Sequence, residues 1–279
     1  MTPANPVAWP GVHCWAGPME HHTVLALYDR QARWDARPEG PDSTVERVGD
    51  VVRQTGPAHG WNGVLWSGLD EERADEAIAG QVRHFTSLGR SFEWKLYGHD
   101  GPADLGERLR RAGFTPEPAE ALMVAEAAGL HRSGLGAAPP EGIEIRPVTD
   151  AAGVALMAEV HERAFGTDSA GLRRRVLDRL AARPDTVAAV VAMAGDRPVS
   201  SARLELPPGT AFAGLWGGGT VPEWRGRGVY RALVAHRARI ASERGYRYLQ
   251  VDASDLSRPI LRRLGFTRLS TTTPYVYEP

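Results

Sequence analysis

The chain has 279 residues, 42% hydrophobic and 24% charged, with a net charge of -1, enough length for two ordinary domains and no basic surface of the kind that announces nucleic acid. The single cysteine, Cys14, excludes an intrachain disulfide and a multi-cysteine metal site and agrees with a reducing cytoplasm. No apolar run approaches the ~20 residues that cross a bilayer, and Met1 to Pro6 lacks the basic and apolar regions of a signal peptide, so a cytoplasmic monomer or homodimer without nucleic-acid or membrane partners is expected.

In chain order, Trp9, Trp15, Trp34, Trp61 and Trp66 put much aromatic surface in the first half. A helix is predicted over about Asp70–Leu88, where Asp70, Glu71 and Glu72 suit a helix N-terminus. A strand follows at Phe92–Tyr97, then Leu109-Arg-Arg-Ala-Gly-Phe-Thr115 and a strand-like Met123–Glu126. Residues 127–142 hold four glycines and two prolines and read as a linker, dividing the chain into domains at 1–134 and 135–279.

The second half opens with a strand at Gly142–Val148, and Asp150 can cap a helix over Ala151–Phe165. A second helix spans Gly171–Ala182. Apolar runs at Thr186–Ala194 and Pro198–Leu206 bracket Gly195-Asp196-Arg197, a hairpin signal. The next strand, Phe212–Val221, must stop at Pro222. Val229, Ala232, Leu233, His236 and Ile240 then recur at the spacing of one helical face, and a strand follows at Tyr246–Asp252.

Between that strand and that helix lies Trp224-Arg-Gly-Arg-Gly-Val-Tyr-Arg231. Gly226 and Gly228 remove side chains where the helix opens, leaving backbone N–H groups and the positive end of the helix dipole to face a phosphate. The Rossmann pattern fails because position 231 is arginine, and no Gly-Lys-Ser/Thr ending makes a Walker loop. Arg225-x-x-Gly228-x-Tyr230, preceded by Thr220-Val-Pro-Glu223, resembles the pyrophosphate loop of the GNAT superfamily of acyl-CoA-dependent N-acyltransferases. Tyr230 stands where the superfamily usually carries glycine or alanine, a change that leaves the backbone donor in place.

The chain also repeats itself. Leu109-Arg-Arg-Ala-Gly-Phe-Thr115 returns as Leu261-Arg-Arg-Leu-Gly-Phe-Thr267, with Phe114 and Phe266 152 residues apart, and Met123–Glu126 falls opposite Tyr275–Glu278 at the same offset. Half a chain length indicates duplicated domains rather than a solenoid. The expected fold is mixed α/β (α+β): two tandem GNAT-like domains, each a central, mostly antiparallel sheet flanked by helices. Where the second half has its arginine–glycine loop, the first has Trp66-Ser-Gly-Leu-Asp-Glu-Glu-Arg73, whose carboxylates would repel a pyrophosphate. The first domain therefore reads as a degenerate copy, structural or part of the acceptor pocket.

The resemblance implies transfer of an acetyl (acyl) group from acetyl-CoA, as co-substrate, to a primary amine of a small molecule or peptide by direct attack in the second domain. It assigns CoA binding to Gly219, Thr220, Val221, Arg225, Gly226, Arg227, Gly228, Val229, Tyr230 and Arg231, and to Ser254 where the superfamily often has asparagine. Leu261 occupies the position of the tyrosine that commonly protonates the thiolate, and Phe212–Val221 holds no carboxylate. Glu205, Asp252 and Tyr230 are the catalytic candidates, with His161, Tyr275 and Tyr277 behind them and ordered water as a further route for the proton. The histidines show no ligand spacing, so no metal is expected. A non-catalytic acyl-CoA-binding regulator is the alternative, and a nucleic-acid module a weaker third.

Overall fold

The computed structural model describes residues 20–40, 42–133 and 138–279; Trp9, Cys14 and Trp15 lie outside them. The described chain begins with helix α1 (His21–Tyr28), which buries Val24 and Tyr28 and runs on into a π-helical stretch, Asp29–Trp34. Gly49, at φ +58°, turns β1 (Thr44–Val48) back on β2 (Val51–Thr55), and β3 (Gly63–Ser67) follows. Helix α2 (Ala74–Ser87) starts later than expected. The carboxylates before it form a turn in which Asp70 accepts from the Arg73 N–H at 2.9 Å. β4 (Phe92–Tyr97), α3 (Leu105–Arg111), a two-residue β5 (Thr115–Pro116) and β6 (Glu120–Glu126) complete the first half.

The segment read as a linker begins as a helix, α4 (Ala127–Ser133), because Ala127 and Leu130 are apolar anchors that bury against the second half's core. β7 (Ile143–Val148) leads to α5 (Ala151–Phe165), which Asp150 caps by accepting from the Gly153 N–H at 2.8 Å and which Gly166 closes at φ +71°. Then come α6 (Ala170–Ala182), the hairpin of β8 (Val187–Ala194) and β9 (Arg197–Glu205), β10 (Phe212–Thr220), α7 (Val229–Glu243), β11 (Tyr248–Ala253), α8 (Arg258–Arg263) and β12 (Thr267–Tyr277). No described helix is long and apolar enough to cross a membrane.

The two halves share one twelve-stranded sheet, in the order β1-β2-β3-β4-β12-β6-β11-β10-β9-β8-β7, with β5 against β12. Each half contributes its last strand to the other. β6 runs antiparallel to β11, with Ala125 opposite Leu249, while β12 runs antiparallel to β4, with Tyr275 opposite Trp94. β6 and β12 also pair with each other and form the seam.

Alternation along these strands sends the two sheet faces into different cores. On one face, Ala121, Met123 and Ala125 join α4, α7 and α8, and Phe92 and Trp94 join α2 and α3. On the other, Leu122, Val124, Phe212 and Tyr248 pack with Val24 and Tyr28 of α1. That second face is concave. Lys95 on β4 forms an ion pair with Asp252 on β11, although β12 and β6 stand between, and three flat-sheet spacings would hold their backbones about 14 Å apart. The curl encloses a cavity of about 620 Å³, lined from both halves by Tyr28, Trp61, Lys95, Glu120, Arg203 and Trp216 among others.

Candidate active site

Three features meet on the second half. The first is the loop between β10 and α7. Gly226 and Gly228 stand at φ +76° and +83°, conformations that a side chain strains. Gly228 is the N-cap of α7 and offers no capping side chain, so the first-turn N–H groups of Val229, Tyr230 and Arg231 lack an intrahelical acceptor and face outward. Arg227 stacks on Trp224 at 4.7 Å, and the Arg231 guanidinium would stand 3.3 Å from a Cβ placed on Gly228. Arg225 is exposed, but its guanidinium is held by the protein's own backbone. Its Nε donates to the Thr220 carbonyl at 3.1 Å and its Nη2 to the Ala164 carbonyl at 2.9 Å, tying the loop to α5.

The second feature is a gap. β10 and β11 pair in parallel only from Phe212–Tyr248 to Gly214–Gln250, although β10 continues to Thr220 and β11 to Ala253. Past Gly214 the strands part, and β10 bulges between Trp216 and Gly219 around Gly217, at φ +58°. Its other edge stays fixed: Ser200 Oγ donates to the Gly219 carbonyl at 2.6 Å and shares a hydrogen bond with Thr220 Oγ1 at 2.8 Å, while the Val221 N–H donates to the Val199 carbonyl at 3.0 Å. On the α7 side of the bulge the Tyr230 ring lies so close that a Cβ on Gly218 would meet it at 2.9 Å. Burial pushes the Tyr230 phenol up. Arg237, two turns further along the same face of α7, is 1% exposed; it donates to the Leu233 and Arg203 carbonyls, and its Nη2 has no partner among the described residues. Burial pushes its guanidinium down to about 10.

The third feature is the concave-face cavity, onto which the gap opens beside Gly214, Trp216 and Gln250. The Gln250 Oε1 is buried there without a partner among the described residues.

The sequence-predicted acid–base candidates are distributed around this arrangement. Glu205 lines the cavity with its carboxylate between Arg179, at 3.5 Å, and Arg203, at 3.2 Å. Asp252 is 2% exposed, paired with Lys95 and reached by Thr272 Oγ1 at 3.5 Å. Ser254 is exposed at the end of β11, within 3.3 Å of Ser257 Oγ. His161 on α5 bonds Thr167 Oγ1 at 3.1 Å, and burial together with Arg203 and Arg175 lowers its pKa. The strand exchange carries Tyr275 and Tyr277 out of the second half: both pack in the first half's core, Tyr277 against Phe92 and Phe114. Leu261 is fully buried. No described group of three His, Cys, Asp or Glu side chains is arranged to hold a metal.

Sequence reasoning missed the first half's share. Glu93 and Lys95 on β4 and Glu120 on β6 line the cavity. Glu93 accepts from Trp61 Nε1 at 2.8 Å, and burial raises its pKa against the opposing pull of Lys95. Glu120 is pushed up to about 7, first by burial and then by the Asp252 charge.

Comparison with known proteins bears on the family and the fold. Residues 154–266 match the model of the acetyltransferase (GNAT) family. No curated protein matches the sequence. A GCN5-related N-acetyltransferase from Kribbella flavida superposes with a TM-score of 0.63 at 18% identity, over 93% of this chain and 94% of that one. A tandem GNAT protein from the clavulanic acid biosynthesis pathway gives a TM-score of 0.60 at 13% identity, over 88% and 86% of the two chains. A GCN5-related N-acetyltransferase from Sphaerobacter thermophilus gives 0.54 at 15% identity, over 82% and 80%. The chain thus shares the fold of these GNAT proteins, a tandem one among them, and residues 154–266 of its second half match the GNAT acetyltransferase family.

Proposed function

We propose that the protein transfers an acyl group, with acetyl-CoA as the donor, to a primary amine of a small molecule or peptide, that the reaction takes place in the second half, and that it does so in the cytoplasm. The observation that carries this reading is the juxtaposition of a helix N-terminus without a capping side chain with the open edge of β10, whose last residue lies eight residues before the N-cap. The α7 N–H groups suit a pyrophosphate. From there the gap between β10 and β11 offers a pantetheine arm a course to the cavity, with unpaired backbone groups on the β10 edge to receive it. Arg227 and Arg231 add positive charge at the entrance. The partnerless Nη2 of Arg237 and the Tyr230 ring lie under the bulge, where negative charge would develop on oxygen and then on sulfur.

A second reading, an acyl-CoA-binding regulator without turnover, is favoured by buried Leu261 and by the three ion pairs that occupy Glu205 and Asp252. Both readings require acyl-CoA to bind, and a ligand at 100 times its Kd adds about 2.7 kcal/mol of stability. Acetyl-CoA is expected to raise the melting temperature, and thiol release with a panel of amines to separate enzyme from regulator. Gly228→Glu places a carboxylate at the helix N-terminus and a side chain at φ +83°, and should abolish the acetyl-CoA shift; retention of that shift would move the phosphate site elsewhere.

A further inference from the structure

The floor of the cavity beside the gap is built mainly by the first half and is acidic. Lys95 is held by Asp252, and its ammonium stands 5.4 Å from the Trp216 ring centroid, so this floor lies next to the bulged stretch of β10. Asp252 pairs with that one ammonium, and Glu93 and Glu120 interact with it electrostatically. Asp252 is occupied by Lys95, and Glu93 by Trp61 Nε1. Glu120 has no hydrogen-bond or ion-pair partner among the described residues and is half-buried. β6 brings it there: Ala121 pairs with Ala253 of β11, and Glu120 itself stands opposite Thr272 of β12. The cavity's arginines near the gap lie across β10, where Glu205 joins Arg203 and Arg179. An excess of negative charge on a concave, half-desolvated floor is the complement of a cation.

We propose that this floor binds the acceptor as a primary ammonium and that Glu120, supplied by the first half, takes its proton; the inference rests on the acyl-transfer reading above. One N–H bond of the ammonium breaks and its proton passes to the Glu120 carboxylate. The freed lone pair forms the C–N bond to the thioester carbonyl carbon, the C–S bond breaks with its electron pair leaving on sulfur, and a second proton from nitrogen goes to the thiolate. Products are the amide, CoA thiol and protonated Glu120, which returns its proton to water. The charged and titratable groups facing Glu120 are Asp252 from β11, Glu93 and Lys95 from β4 and Glu117 from the turn before β6. Three of these four are carboxylates, and with burial they hold Glu120 near 7, where it both accepts and releases a proton at neutral pH. Lys95 and Asp252 are positioning residues that keep a fixed charge beside it.

The test compares wild type with Glu120→Gln and Glu120→Asp, using acetyl-CoA with ethanolamine, tyramine or hydroxylamine and following free thiol. Hydroxylamine is weakly basic and already unprotonated at neutral pH. Both variants should keep the wild-type thermal shift with acetyl-CoA. Glu120→Gln should lose about a hundredfold or more in kcat/KM with ethanolamine and tyramine at pH 7, lose the rise of rate with pH through about 7, and lose less than tenfold with hydroxylamine; Glu120→Asp should recover part of the rate and keep the rise. An unchanged rate and pH profile in Glu120→Gln overturns the assignment, as does a wild type that binds acetyl-CoA but releases no thiol with any of the three amines. A wild type that shows no acetyl-CoA shift overturns the acyltransferase reading itself.

Discussion

Glu120 and Asp252 show how neighbours two strands or half a chain away decide what a carboxylate can do. Asp252 is nearly inaccessible, and its charge is tolerated because Lys95 meets it; a buried ion is costly unless it is paired. Glu120 has no such partner, so its ionisation works against the fold. The ordinary glutamate value is 4.5 and the folded value about 7. Below 4.5 the group is protonated whether the chain is folded or not. Between 4.5 and 7 the folded chain keeps a proton that the unfolded chain releases, so stability falls as pH rises through that window. Glu120→Gln removes the effect. Because the side chain is half-exposed and screened by solvent, the gain is about 1 kcal/mol rather than the full value of the shift. Urea unfolding should show the variant equal to wild type at pH 4.5 and more stable by about that amount at pH 8; equal stability at both would mean that Glu120 carries no burial penalty. None of this was legible in the sequence. The residues that set Glu120's environment, Lys95 two strands away on β4 and Asp252 on the adjacent β11, stand 157 residues apart and belong to different halves.

At the scale of elements, legibility followed local signals. Asp150 announced α5, the spacing from Val229 to Ile240 announced α7, and Gly195 announced the β8–β9 hairpin, because each is decided by residues within a few positions. The glycines of the α7 loop were legible for the same reason. Arg225 was not: the motif alone suggests a phosphate ligand, whereas its guanidinium serves two carbonyls, one of them at Ala164 on α5, 61 residues upstream. Segment 127–142 misled for a related reason, since its glycines mask two anchors whose partners lie on and around α7. Arg225→Met keeps the aliphatic stem and removes both hydrogen bonds. Each bond is worth about 1 kcal/mol net, so global stability should drop by no more than about 2 kcal/mol, while the loop loses its tie to α5 and acetyl-CoA affinity falls about tenfold. Calorimetric titration reads the affinity. Unchanged binding would show that the two glycines alone fix the cradle.

At the scale of the molecule, the repeat was legible and its consequence was not. Equivalent sequences at a fixed offset reveal that two halves share a fold, but pairing partners are chosen in three dimensions, and β6 and β12 answer the same description whichever half they complete. Here each completes the other. β6 buries Ala121, Leu122, Met123, Val124 and Ala125 between β11 and β12, and β12 inserts Tyr275, 4% exposed, into the aromatic core around Phe92, Trp94 and Phe114. Burying a Leu, Val or Met side chain contributes about 1.5–3 kcal/mol. Without β6 the second half therefore loses several kcal/mol and leaves the β11 edge open, and without β12 the first half exposes its aromatic core. Those losses are of the size of a whole domain's stability, about 5–15 kcal/mol. A chain divided between residues 134 and 135 should then yield two fragments that are each unfolded or aggregated alone, because an open, apolar sheet edge recruits other chains. Mixed or co-expressed, the fragments should recover the full sheet and melt together. The intact protein should unfold in one transition, with tryptophan fluorescence, dominated by the first half, and far-UV circular dichroism giving the same midpoint. A soluble, cooperatively melting 135–279 fragment would show that β12 can leave β4 and close the second half by itself. That fragment would also lack Glu120, so its thiol-release rate would report directly whether the first half supplies more to the reaction than a strand.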